Sequence, residues 1–177
     1  MLKIAQLFTL SLLVALSACS SISTNGKAKS FKTKQIPSAF INSYKNWQQL
    51  KNNHNAHYSY ERDGLSPEGF HSSTKITVIN NQVEFRDFFE WQQGNTPTLT
   101  WTEDFAQLGT HDQGASIKTL DQLYQQCKNQ ILNQPQTDFT VTFKVDQINI
   151  LQQCSYTRLS CANQCTKGIR IQGLSLK

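Results

Sequence analysis

The segment Phe70–Gln92, FHSSTKITVINNQVEFRDFFEWQ, contains two stretches of alternating apolar and polar residues on either side of Asn80-Asn81. Asparagine tolerates the positive φ angles of a two-residue turn, and a period of two is typical of strands with one buried face. A turn at the two asparagines predicts three apolar cross-strand pairs on one face: Val78–Val83, Ile76–Phe85 and Phe70–Trp91. The segment is therefore predicted to form an antiparallel β-hairpin.

The segment before the hairpin is predicted to contain a helix and a strand. Apolar residues recur at helical spacing between Pro37 and Asn53. The positions concerned are Phe40, Ile41, Tyr44, Trp47 and Leu50. The period then changes to two at Tyr58 and Tyr60, which alternate with polar residues. We therefore expect helix, strand and hairpin in that order.

The segment after the hairpin begins with two short elements and continues into a second helix. We expect a strand around Thr98 to Trp101 and a helical turn from Glu103 to Leu108, with Thr102 as its N-cap. Thr119 and Gln122 match a capping box in front of an apolar stripe, so the second helix is predicted to begin at Thr119 and to end before Pro135.

The remainder of the chain is predicted to form strands. Residues 139–145 alternate, turn at Asp146-Gln147 and return through Ile148 and Ile150. A last strand is predicted from Ile169 to Leu176, with a bulge at Gly173. The whole order predicts an α+β fold, an antiparallel sheet with two main helices packed on it, as a single globular domain over residues 38–177.

The amino terminus has the pattern of a bacterial lipoprotein signal peptide over residues 1–18. Lys3 precedes an apolar stretch that is too short to span a bilayer comfortably, and the stretch ends in Leu16-Ser17-Ala18-Cys19, which resembles a lipobox. We therefore predict a lipid on Cys19, although an ordinary secretory peptide cut after Ala18 remains the alternative. Residues 19–37 are predicted to be the lipidated cysteine and a flexible tether. Ser20 resembles the pattern that directs lipoproteins to the outer membrane, with the domain facing the periplasm.

The four other cysteines are an even number, for which disulfide bonds are expected in an exported chain. They are Cys127, Cys154, Cys161 and Cys165, and three pairings are open. Cys127 lies on the apolar stripe of the second helix, and the predicted hairpin register places Cys154 opposite Phe139, so both should point between helix and sheet. We therefore favour Cys127–Cys154 with Cys161–Cys165. The spacing does not fit a zinc site, and no metal or cofactor is predicted.

The charge of the chain is concentrated before the folded domain. The formal net charge is +5, but five lysines and no acidic residue precede Ile36, so the remainder carries equal numbers of both signs. Charged residues make up 16% of the chain, which together with the absence of a basic stripe excludes a nucleic-acid partner. The predicted partners are the membrane, through the lipid on Cys19, and an envelope protein or glycan.

One polar loop is the candidate binding site in this sequence. It gathers an aromatic residue, carboxylates and a histidine, the groups that tend to line a groove: Trp101, Glu103, Asp104, His111 and Asp112. No established catalytic motif occurs in the sequence. A non-enzymatic binding module is therefore expected. The alternatives are an envelope hydrolase that uses Glu103, Asp104 and His111, and a purely structural envelope protein.

Four short motifs resemble an uncharacterised family of bacterial exported domains. They are a helix that contains Trp47, the strand Tyr58-Ser59-Tyr60, a hairpin with an asparagine-rich turn followed by valine, and Thr119-Leu120-Asp121-Gln122-Leu123-Tyr124. The resemblance covers about residues 38–145. Members usually carry cysteines near the Tyr-x-Tyr strand, whereas the domain cysteines here all follow residue 126, so their bridges are not transferred. The resemblance implies no activity.

Overall fold

A computed structural model describes residues 36–65, 70–161 and 165–177 of the chain. The predicted signal peptide, Cys19 and most of the tether lie outside the described residues. Those residues form helix α1 (Ser38–Asn53), helix α2 (Leu120–Gln126) continued by a π-helical turn (Cys127–Ile131), and strands β1 (Tyr58–Leu65), β2 (Phe70–Ile79), β3 (Gln82–Gln92), β4 (Thr98–Asp104), β5 (Phe139–Val145), β6 (Leu151–Arg158), β7 (Thr166–Arg170) and β8 (Gln172–Leu176). The predicted α+β class with antiparallel sheets and two helices is confirmed. Among the described residues, no helix is long and apolar enough to cross a membrane.

The strands form two antiparallel sheets rather than the single sheet that we predicted. One sheet has five strands in the order β4-β3-β2-β1-β8, and the other has three in the order β5-β6-β7. The predicted last strand divides at Ile171, where the backbone N–H still bonds to Gln152 in the smaller sheet, and then continues as β8 beside β1. Gly173 has a φ of +60°, and the β1–β8 register shifts between Ser59 and Glu61, which confirms the predicted bulge.

The hairpin is confirmed, but its register differs from the predicted one beyond the turn. Asn80 and Asn81 have φ angles of 51° and 66°, and Val78 pairs with Val83 as expected. A bulge at Glu84 then shifts the pairing, so the predicted pairs Ile76–Phe85 and Phe70–Trp91 are wrong. Because one extra residue reverses the faces of a strand, Arg86 is buried opposite Ile76 while Phe85 is exposed.

The two tyrosines of β1 hold the start of the second helix. Tyr60 donates a hydrogen bond from its hydroxyl to the carbonyl of Lys118 (2.6 Å), and the hydroxyl of Tyr58 accepts one from the N–H of Leu120 (3.0 Å). The first N–H groups of a helix have no partner within the helix, so Tyr58 satisfies one of them. Thr119 and Gln122 form the predicted capping box, which satisfies others. The Tyr-x-Tyr strand therefore fixes where α2 begins.

A buried tyrosine joins the two helices to the smaller sheet. The hydroxyl of Tyr124 on α2 lies 2.7 Å from Ser43 Oγ on α1 and accepts a hydrogen bond from the N–H of Leu151 on β6 (2.9 Å). Burial raises the pKa of Tyr124 to about 12, so the hydroxyl stays protonated and can donate at neutral pH. Lys51 and Asp121 add an ion pair between the helices at 3.0 Å.

The disulfide pairing is confirmed, although the register used to argue for it is wrong. Cys127 is bonded to Cys154 with 5.8 Å between their Cα atoms, and Cys161 is paired with Cys165. Cys154 lies opposite Phe143 rather than Phe139. The turn is longer than expected because the carboxylate of Asp146 accepts bonds from the N–H groups of Ile148 and Ile150. The register moves by an even number of residues, so Cys154 stays on the buried face.

The second helix also differs from the predicted continuous α-helix. It is α-helical to Gln126 and π-helical from Cys127 to Ile131, and the N–H of Leu132 bonds back to the carbonyl of Cys127 (2.9 Å). A π-helical turn inserts one extra residue into a helical turn and so rotates the residues that follow it. Cys127 and Ile131 are both buried in the common core. The apolar stripe was therefore identified correctly, while its helix type was not.

Candidate functional site

Residues of four strands form two rows across the core-facing side of the five-stranded sheet, here called its inner face. The first row, in strand order β1 to β4, is Tyr60, Ile76, Arg86 and Glu103. The second row lies two residues further along the strands and comprises Arg62, Thr74, Phe88 and Trp101. Tyr60 and Ile76 belong to the buried core. The β3–β4 end of the first row, Arg86 and Glu103, is therefore where polar groups meet the core.

Arg86 and Glu103 form a buried bidentate ion pair at the β3–β4 end of the first row. Arg86 Nη2 lies 2.7 Å from Glu103 Oε1, and Arg86 Nε lies 2.7 Å from Oε2. Their side chains are 5% and 0% exposed. Two parallel hydrogen bonds are the strongest arrangement that a guanidinium and a carboxylate adopt. They compensate for the removal of both charges from water.

The same ion pair fixes the loop of residues 105–118, here called the central loop. Glu103 accepts hydrogen bonds from the backbone N–H groups of Gly109 (2.9 Å) and His111 (2.7 Å). Arg86 donates to the backbone carbonyls of His111 (2.7 Å) and Ala115 (3.2 Å). A loop held by buried charges at three points along its length has little conformational freedom left to lose when a ligand binds.

Trp101 lies in a stack of planar groups beneath the central loop. Its ring is parallel to that of His111 at 4.3 Å and to that of Phe88 at 5.1 Å between centroids. The guanidinium carbon of Arg86 lies 4.8 Å from the centroid of the Trp101 ring. His111 of the central loop and Arg86 of the ion pair therefore both pack against the indole ring of Trp101.

The structure brings together three of the five predicted site residues. Trp101, Glu103 and His111 are in contact, with His111 Nδ1 3.1 Å from Glu103 Oε1. Asp104 and Asp112 are exposed. The predicted helical turn from Glu103 to Leu108 is wrong, because Glu103 and Asp104 end strand β4. Successive residues of a strand face opposite sides, so the two carboxylates are separated.

The hydrogen bonds and burial of Glu103 determine its protonation state. Burial alone would raise its pKa, but the hydrogen bonds from Arg86, Gly109 and His111 outweigh burial and hold the pKa well below its usual range. Glu103 is therefore a carboxylate at neutral pH and does not supply a proton as a general acid must. The hydrolase interpretation gains no support from this geometry and stays a prediction. Among the described residues, no group of three or more His, Cys, Asp or Glu side chains is placed to hold a metal ion.

An open cleft of about 470 Å³ lies on the inner face beside the central loop. Its walls include Arg62, Ser72, Phe88, Glu90 and the loop residues 113–116. The loop packs closely against the floor, since the N–H of Ala115 donates to Thr74 Oγ1 at 2.8 Å. Gly114 has a φ of +84°, and a Cβ there would lie 3.0 Å from the same oxygen, so a larger residue would disturb this wall of the cleft.

The two arginines of the site are not among the predicted site residues. Strict alternation across Glu84 predicts Arg86 on the solvent face, whereas the bulge turns it inwards. The run Phe85-Arg86-Asp87-Phe88-Phe89 breaks the period of two, and that break was the available signal of a bulge. Arg62 follows the Tyr-x-Tyr pattern by two residues, so the same alternation places it on the inner face.

Comparisons of the chain with protein-family models, with curated proteins and with solved structures find no match. The site must therefore be interpreted from its own geometry.

Proposed function

We propose that the chain is a bacterial envelope lipoprotein, anchored in the outer membrane through a lipid on Cys19, whose domain is a non-catalytic binding module facing the periplasm. Residues 19–37 are the lipidated cysteine and a tether, and residues 38–177 are a disulfide-linked α+β domain with its two helices packed on the sheets. The lipobox-like Leu16-Ser17-Ala18-Cys19 supports the anchor. The cleft beside the central loop is the proposed binding site.

The observation that carries the binding role is the anchored loop beside an open cleft. Glu103 and Arg86 together fix the backbone at Gly109, His111 and Ala115, and the next residues along the loop form a wall of the cleft. Binding sites that are already formed lose less conformational entropy when they bind. A buried ion pair that fixes a loop beside a cleft supports recognition rather than proton transfer, because the lowered pKa of Glu103 keeps its carboxylate charged at neutral pH.

The geometry favours a polypeptide partner, either a protein or a peptide, over a glycan. Sugars are commonly bound against a free aromatic ring face, and the aromatic ring among the described residues that line the cleft is Phe88, which is 6% exposed and stacked on Trp101. Trp101 is itself covered by His111. The charged and hydrogen-bonding groups of the cleft, Arg62 and Glu90 among them, are of the kind that a polypeptide can satisfy.

Site-specific photocrosslinking tests the proposed binding site. A photoreactive residue at Gln113, which lines the cleft, should yield a protein or peptide adduct in intact cells, whereas the same residue at Gln147, in the exposed β5–β6 turn, should not. Both variants should be produced at the same level. Equal adducts at both positions, or none at either, would contradict the proposed site. Turnover of cell-wall material by the purified chain would favour the hydrolase instead, and a weakened envelope in a deletion strain without any adduct would favour a purely structural role.

Replacing Cys19 by Ser tests the proposed anchor. We expect the Cys19→Ser protein to move almost entirely from the membrane pellet to the soluble periplasmic fraction, because serine lacks the thiol that is acylated and several acyl chains are needed for stable anchoring. Fractionation followed by immunoblotting measures this change, and an unchanged circular dichroism spectrum serves as the control for folding. Retention of the variant in the membrane, or an unmodified Cys19 in the mass spectrum of the wild type, would refute the lipid anchor.

A further inference from the structure

We propose that the cleft beside the central loop binds a short peptide by its two free ends, with the peptide carboxylate on Arg62 and the peptide ammonium group on Glu90. This inference rests on the proposed function, since it names the ligand chemistry of the same cleft. The juxtaposition that carries it is the guanidinium of Arg62 and the carboxylate of Glu90, which line a single open cleft without forming an ion pair with each other.

Arg62 is the cationic group of the cleft, and its donors are incompletely satisfied. It lies on β1 in the inner-face row with Thr74, and its Nε is buried with no hydrogen-bond partner among the described residues. A buried donor without a partner is costly, and a planar guanidinium fits a carboxylate with two parallel hydrogen bonds. Burial also lowers the pKa of Arg62, because removal from water disfavours the charged guanidinium. A ligand carboxylate supplies both the acceptor and the charge.

Glu90 is the anionic group of the cleft. It lies on β3 opposite Ser72 and Thr98, and within the described residues its carboxylate makes no hydrogen bond or ion pair. Asp63, another carboxylate at this cleft, already accepts a hydrogen bond from the side-chain amide of Gln172. Glu90 would repel a purely anionic ligand such as inorganic phosphate, whereas it attracts an ammonium group. A ligand with both charges therefore satisfies the cleft better than a simple anion.

The spacing of the two charged residues fits a peptide rather than a single amino acid. Arg62 lies on β1 and Glu90 on β3, with β2 between them. Arg62 pairs with Thr74 on β2 and Glu90 pairs with Ser72, so the two residues are also offset by two residues along the strands. This places their Cα atoms about 12 Å apart in a regular sheet. The distance that remains between the guanidinium of Arg62 and the carboxylate of Glu90 can be spanned by a peptide of two or three residues, since an extended residue covers ~3.5 Å. In a single amino acid the two charged groups share one Cα atom and cannot bridge that gap.

The surface between the two charges is suited to a peptide chain. Phe88 lies in the same row as Arg62 and two residues before Glu90 on β3, and its nearly buried ring closes the floor between the two charged residues. The loop residues 113–116 form one wall, where peptide N–H and C=O groups can bond to the backbone, as in other extended-peptide sites. The cleft then selects a peptide mainly by its two charged ends and by its length.

Isothermal titration calorimetry on the full chain in detergent tests this proposal with alanine peptides as probes. Alanyl-alanine and alanyl-alanyl-alanine should bind, and a carboxy-terminal amide or an amino-terminal acetyl group should each weaken binding by roughly tenfold to a hundredfold, as the loss of a charge-assisted contact does. Arg62→Gln should remove the penalty of the terminal amide, and Glu90→Gln should remove the penalty of the acetyl group. Arg158→Gln on β6 and Glu84→Gln at the β3 bulge are matched controls that should bind like the wild type.

The outcomes separate this inference from the proposed function. Equal binding of free and end-blocked peptides, wild-type affinity in Arg62→Gln, or no peptide binding at all overturns the inference. If photocrosslinking at Gln113 still captures a protein in that case, the cleft is a binding site for another surface chemistry and the proposed function stands. If neither peptides nor a protein bind, both proposals fall.

Discussion

The Glu103→Gln variant is expected to lose about 3–5 kcal/mol of unfolding free energy at pH 7, as buried ion pairs do when one member is removed. The substitution keeps the shape of the side chain but leaves the buried guanidinium of Arg86 without its counter-charge. It also weakens the bonds that hold Gly109 and His111, so the central loop should become mobile. Urea unfolding and hydrogen exchange of the loop amides measure the two effects.

The neighbouring residue supplies the control for this variant. Asp104 is exposed on the other side of β4, and its bond from the N–H of Ala106 can be kept by an asparagine oxygen. Asp104→Asn should therefore change the free energy of unfolding by less than about 0.5 kcal/mol. Similar losses in both variants would show that the buried ion pair does not stabilise the fold.

The pH dependence of stability should carry the signature of the same carboxylate. The pKa of Glu103 is lower in the folded protein than in the unfolded chain, where it takes its usual value near 4.5. Its contribution is therefore complete above that value and is lost progressively as the pH falls towards the folded pKa. Glu103→Gln has no such titration, so the stability difference between the wild type and the variant should shrink as the solution is acidified.

Removing the Cys127–Cys154 bond by a Cys127→Ser and Cys154→Ser double substitution is the second change with a large expected effect. The bond closes a loop with a sequence separation of 27, for which the chain-entropy model gives about 3–4 kcal/mol. Two buried hydroxyl groups in the core add to that loss. Thermal unfolding of the oxidised proteins measures the effect.

The second disulfide provides the comparison for the first. Cys161 and Cys165 are separated by 4 positions, so the same model gives a smaller loss of about 2 kcal/mol when both are replaced by Ser. Neither of these two cysteines lies in the buried core cluster. A larger loss from the second bridge than from the first would contradict the view that the first bridge links the helix to the sheet at the centre of the core.

Patterns with a local physical cause were predictable from the sequence. The Asn-Asn turn, the capping box at Thr119 and the apolar stripes of both helices depend on residues close to one another in the chain. The pairing of Cys127 with Cys154 was also predictable, since it required only that both side chains face the core. The predictions were wrong where one inserted residue changed the register of a strand. The bulge at Glu84 exchanged the faces of Phe85 and Arg86; the broken alternation after Glu84 signals a bulge but does not locate it.

The candidate site was harder to predict because its contacts are between residues far apart in sequence. Trp101, Glu103 and His111 were identified as a group from their residue types, and the structure places them together. Their arrangement depends on Arg86, whose inward orientation requires the bulge, and on the strand that continues through Glu103. The sequence suggested a helix there because Thr102 and the acidic pair match an N-terminal cap. Pairing with β3 outweighed that local preference.

The position of β8 has a consequence for the order in which the domain is assembled. Tyr58 at the start of β1 pairs with Leu176 on β8, so the larger sheet joins the first and the last strands of the described residues. Contacts over such long sequence distances require a large loop to close before any pairing energy is gained, which slows folding. The larger sheet cannot be completed progressively from the first residue onwards. The β1 edge of the larger sheet therefore stays unpaired until residues 172–176 are available to form β8.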